Sequence, residues 1–152
     1  MFQKHPGLWQ CAVEDHYLRE SFDKIPEMVR RAARLIPITI IRIPNNEVRH
    51  FLTEATRCFI FYQGSAALSR AAMECGFNEH LKDRLTYVPD VSLSVKIEKA
   101  AHFRIISAKC ASLADRVRIT ANGVLHAQPA SENKALQSLN DARSVLAEMY
   151  EG

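Results

Sequence analysis

Between residues 111 and 127, in the stretch ASLADRVRITANGVLHA, the apolar side chains Ala114, Val117, Ala121 and Val124 or Leu125 recur every three to four positions. That spacing is the period of an α-helix with one buried face; a strand buries every second residue instead. Two more stretches repeat it. Residues 47–62 put Val48, Phe51, Leu52, Ala55, Cys58, Phe59 and Tyr62 on one face, and residues 133–150 put Leu136, Leu139, Ala142, Val145, Leu146 and Met149 on another. With only 5 glycines and 6 prolines in 152 residues, little turn material is left for a many-stranded sheet. The expected class is all-α, a four- to five-helix up-and-down bundle over residues 45–152. Residues 1–44 form an irregular N-terminal extension made of a short helix (21–35) and a β-branched connector (36–44) bracketed by Pro37 and Pro44. Residues 8–13 fit either a short strand or a first helical turn.

Local signals set the expected element ends. Asn45 or Asn46 caps the helix at 47–62 and Gly64 stops it. Ser65 caps a second helix at 66–75 with Ala67, Leu68, Ala71, Ala72 and Cys75 inward, and Gly76 ends it, with 77–85 resuming after a kink. A loop around Pro89 leads to a short helix at 94–101 with Lys96 and Lys99 outward. Residues 102–107 fit a turn or the start of the long helix, Pro129 terminates that helix, and Ser131 with Glu132 opens the last one. Gly123 would let another backbone come close.

The totals narrow the partners. A net charge of +3 and a pI near 8.7 give a mild attraction to nucleic acid. The four cysteines, Cys11, Cys58, Cys75 and Cys110, are widely spaced with no Cys-x-x-Cys pair. They read as free thiols of a reducing compartment rather than a zinc site or disulfide framework. His5, Cys11 and His16 have irregular spacing for metal ligands, so neither metal nor cofactor is expected. No run is long enough to span a membrane and the N-terminus lacks a leader's apolar core, so the expected location is the cytoplasm.

Arg118, Asn122 and His126 are four residues apart and climb one side of the helix at 111–127. A guanidinium grips two phosphate oxygens at once, and an imidazole moves a proton near neutrality. Arg104, Lys109 and Arg116 add a candidate basic rim for RNA. Glu54 with Arg57, and Arg70 with Glu74, have the spacing of helical ion pairs. Asn122 and His126 also suit a purely structural role, as a cross-helix hydrogen bond and a helix-end cap.

Three stretches in order resemble the HEPN superfamily of small helical bundles, and more narrowly a bacterial branch described only as a domain of unknown function. They are EATRCFIFYQGSAALSRAAMECG at 54–76, with Arg70 and Glu74 as its Arg-x-x-x-Glu; RITANGVLH at 118–126, similar to Arg-x-x-Gly-Asn-x-x-x-His; and the closing AEMYEG. The resemblance covers roughly residues 45–152. It implies a homodimer whose Asn-x-x-x-His segments meet in a cleft. By the same resemblance, the nuclease members cut RNA without a metal, their His handling the 2′-hydroxyl or leaving-group proton and their Arg the phosphate charge. On that pattern His126, Arg118 and Asn122 are the candidate catalytic residues, with Arg70 and Glu74 in support. The nuclease members carry Arg directly before the polar residue, where this chain has Ala121; Arg118 lies one turn earlier.

Two readings follow. The first is a protein that binds RNA or a nucleotide phosphate, extending to a metal-independent endoribonuclease of a defence or toxin system with a cognate antitoxin as partner. The second is a non-catalytic, dimerising interaction module whose polar motif is structural. A helix-turn-helix DNA reader is disfavoured, since no short recognition helix follows a tight turn.

Overall fold

Asn45 starts the first helix of the bundle. Its Oδ1 accepts the N–H groups of Glu47 at 2.9 Å and Val48 at 3.1 Å, pairing two donors that the helix itself cannot satisfy. The computed structural model of the chain describes residues 42–57, 62–86, 88–126, 128 and 130–152. All of these belong to the second of two units, Met1–Leu35 and Ile36–Gly152. Among them are five α-helices: α1 (Asn46–Arg57), α2 (Tyr62–Leu81), α3 (Leu93–His102), α4 (Ala108–Leu125) and α5 (Glu132–Glu151). A single 3-10 turn, Val88–Asp90, lies between α2 and α3, and no strand occurs among the described residues. None of these helices is long and apolar enough to cross a membrane. The expectations for residues 8–13, 21–35 and 36–41, for Cys58 and Phe59, for Pro129, and for His5, Cys11 and His16 lie outside the described residues.

Serines open α4 and α5. Ser107 Oγ accepts the Cys110 N–H at 3.2 Å and Ser131 Oγ that of Lys134 at 3.3 Å. Residues 103–106 are a turn rather than an early start to α4. Arg104 stands there at φ 58°, with its N–H on Ala101 O at 3.0 Å and the Ile105 N–H on Ala100 O at 2.9 Å. This is the reverse-turned helix end that normally carries glycine.

α2 departs most from expectation. It runs without a break through Gly64, Ser65 and Gly76, so neither glycine stops a helix and Ser65 caps none. Ser65 is fully buried and donates to Ala55 O of α1 at 2.9 Å. The buried face comprises Ala66, Ser69, Ala72, Met73, Gly76 and Phe77; of the residues expected inward only Ala72 is buried. The reason is tertiary. α2 packs against α1, α3, α4 and α5, and small side chains let those neighbours approach. A Cβ on Gly76 would lie 2.9 Å from Leu146 Cδ2 and 3.3 Å from Met149 Sδ, so α5 occupies the space a side chain would need. The described helices thus pack around α2, which touches all four of the others.

The contacts also fix helix direction. Asn45 Nδ2 donates to Glu79 Oε2 at 2.8 Å, so α1 begins where α2 ends. Ser107 meets Glu148, and Arg116 meets Asp141, so α4 and α5 are antiparallel. α3 breaks the expected up-and-down order. Lys96 lies against Glu74, and Phe103 lies under Arg84 at 5.3 Å from ring centre to guanidinium. Advancing along α3 therefore follows α2 in the same direction, and the connection at 82–92 returns along the bundle. Lys96, expected outward, is only 1% exposed because α3 lies between α2 and α4 and presents it to Glu74. The core gathers Val48, Met73, Phe77, Leu81, Ile97, Val117, Val145 and Leu146 from all five helices.

Candidate functional site

α4 carries the predicted row. Its buried side, Cys110, Ala114, Val117 and Ala121, keeps the period read from the sequence. The last expected apolar position does not hold: Leu125 is 66% exposed and Val124 is half-buried. Arg118 and Asn122 share the flank turned to α2. Asn122 Oδ1 accepts Arg70 Nη1 at 2.9 Å, and Arg70 Nη2 stands 3.7 Å from Glu74 Oε2. Glu74 Oε1 in turn receives Lys96 Nζ at 2.9 Å. A polar relay, Asn122–Arg70–Glu74–Lys96, therefore joins α4, α2 and α3, and the predicted support residues do meet the predicted row. Arg70 Nε is buried without a partner among the described residues. Lys96 was the missed member, since a lysine on a short helix gives no local sign of a carboxylate waiting across the interface.

Arg118 Nε is held by Asp115 Oδ1 at 2.7 Å on its own helix, which partly neutralises it. His126 is the first residue past α4. Its backbone N–H reaches Asn122 O at 3.0 Å and Gly123 O at 3.1 Å, and its side chain is exposed. From Arg118 to His126 the row extends about 12 Å along the helix axis. α4 stops at Leu125, ahead of Pro129, and the Gln128 N–H closes onto Gly123 O at 2.8 Å.

The basic rim does not gather around that row. Lys109 sits in the first turn of α4 and Arg104 just before it, roughly 25 Å along the axis from His126. Arg116 lies on the other flank, where its Nε and Nη2 grip both oxygens of Asp141 at 3.0 and 2.9 Å. That paired contact raises the Arg116 pKa further. Glu54 and Arg57 form the expected exposed pair at 3.0 Å.

On this second flank α4 and the start of α5 enclose a cleft of about 220 Å³. Gly123 opens onto it. What comes close there is not another helix backbone but the Gln128 side chain, whose Oε1 would be 3.1 Å from a Cβ. The described thiols are poor nucleophiles. Burial, with the Glu148 carboxylate beside it, pushes Cys110 up to about 11, and burial followed by the Glu47 and Glu74 charges raises Cys75. No cluster of three or more potential metal ligands occurs among the described residues. At the far end of α2, Tyr150 donates to Glu79, and the His80 ring stands edge-on to Tyr150 with centroids 4.7 Å apart. This cluster was invisible locally because its partners are 71 residues apart. Compared with protein-family models, curated proteins and solved structures, the chain matches none.

Proposed function

We propose that this is a HEPN-like helical bundle that binds RNA or a nucleotide phosphate along Arg118, Asn122 and His126 of α4, with Arg70 of α2 beside them. The observation that carries the reading is the 2.9 Å hydrogen bond from Arg70 to Asn122. It joins two stretches 52 residues apart that support the resemblance separately. Two guanidiniums, an amide and an exposed imidazole on adjoining helices give forked and single hydrogen bonds to phosphate oxygens. The 12 Å spacing along the axis suits a strand lying over the helix better than a single phosphate. Cleavage without a metal would additionally need His126 and a guanidinium on the same phosphate. In this reading that guanidinium is Arg118 of a second copy of the chain, with Ile119, 56% exposed, and Leu125 offering apolar surface for the pair.

A second reading has its own observation. Asp115 already holds Arg118 on its own helix, which favours a non-catalytic dimerising module with a structural motif. Fluorescence anisotropy of a labelled single-stranded RNA at low salt separates the two. Arg118→Ala and His126→Ala should each weaken binding about tenfold with melting temperature nearly unchanged. Unchanged binding with a lowered melting temperature would sink the phosphate reading and leave the structural one.

A further inference from the structure

The cleft on the second flank of α4 is separate from the row just described: Arg116 on this side touches α5, whereas Asn122 touches α2. It is lined by Arg116, Thr120 and Gly123 from α4, Gln128 from the connection, and Lys134 and Gln137 from α5. Asp141 engages Arg116 through Nε and Nη2, which fixes the guanidinium plane and leaves Nη1 to a ligand. Lys134 brings a second cation across the opening. Two carboxamides and a hydroxyl supply donors and acceptors together, the combination that matches neighbouring sugar hydroxyls. Val124 gives an apolar wall for a ring face. The absence of a side chain at Gly123 keeps the floor clear and lets the Gln128 amide reach over it. At about 220 Å³ the space is below the range of drug-sized pockets, so the occupant is small.

We infer that this cleft binds a ribose-phosphate unit, the phosphate between Arg116 and Lys134 and the sugar hydroxyls on Thr120, Gln128 and Gln137. The same chemistry is offered by a free sugar phosphate and by one unit of an RNA strand. The test is amide-shift mapping on the isotopically labelled full chain, titrated in turn with ribose 5-phosphate, inorganic phosphate and a short single-stranded RNA. Saturable shifts at Thr120, Gly123 and Lys134 are expected with ribose 5-phosphate, with inorganic phosphate about tenfold weaker. Lys134→Met should weaken the sugar phosphate about tenfold without moving the melting temperature, because Ser131 caps the Lys134 backbone N–H in either case. Shifts produced by the RNA but not by ribose 5-phosphate support the site with the strand as its source. Absence of saturable shifts with either ligand, or shifts that Lys134→Met leaves unaltered, overturns the inference. Arg118→Ala leaves this cleft intact, so failure here is distinguishable from failure of the phosphate row.

Discussion

Lys96 carries an ammonium into a place where only 1% of it meets solvent, while its partner Glu74 keeps 30% of its side chain exposed. The two halves of this pair are therefore unequal. Removing the carboxylate leaves a buried charge uncompensated, and Glu74→Ala should lower stability by about 3 kcal/mol. Removing the ammonium leaves a carboxylate that water can reach, and Lys96→Met, which keeps the length, should stay within about 1 kcal/mol. Chemical denaturation of both variants checks the order; equal losses, or the reverse order, would show that the ammonium is not buried as described. Arg104 shows a different imbalance. Its φ of 58° crowds the Cβ of any L residue other than glycine. Arg104→Gly should raise stability by about 1 kcal/mol in thermal melts. A loss instead would mean that the arginine side chain, placed in the basic rim from sequence, holds the turn itself.

Elements are tied at one end of the bundle by polar contacts. Glu79 at the end of α2 accepts from Tyr150 of α5 and from Asn45 ahead of α1, and the Arg42 N–H donates to Glu151 Oε1 at 2.8 Å. Burial alone would raise the Glu79 carboxyl, but the Tyr150 and Asn45 hydrogen bonds, with the His80 and Lys82 charges, hold it below its ordinary 4.5. Its folded value being the lower one, its contribution is complete above 4.5 and is lost as pH falls through the folded value. Burial and the same carboxylate push Tyr150 well above its ordinary 10, so that contribution is complete below 10 and is lost at more alkaline pH. Tyr150→Phe should cost about 1.5 kcal/mol at neutral pH and flatten the fall in melting temperature as pH drops below 4.5. An unchanged acid limb would remove Glu79 from this role. Elements also differ in how plainly their sequences announce them. α5 was legible nearly from end to end because a serine cap precedes an unbroken stripe facing one way. α2 was not, because Gly64, Ser65 and Gly76 stop helices at a surface but serve as spacers in a helix surrounded by neighbours.

At the scale of the whole molecule, the helical class and the row on α4 follow from period alone, whereas the meeting of Arg70 with Asn122 was not legible, because nothing near either residue names a partner 52 positions away. The return of the chain at 82–92 was not legible, since the direction of α3 depends on which helix Lys96 and Phe103 find, and nothing within α3 names it. For the same reason the rim scattered: Arg104 and Lys109 share a stretch with Arg118 in sequence but stand at the opposite end of α4 from His126. If Arg118 meets a phosphate, as proposed, salt should reveal it: each such contact with single-stranded RNA steepens the dependence of log affinity on log salt by about 0.7. The most direct measurement is that slope for the native chain and for Arg118→Met. Arg118→Met should make the slope shallower by about 0.7 with an unchanged melting curve; identical slopes and affinities would mean that Arg118 touches no phosphate.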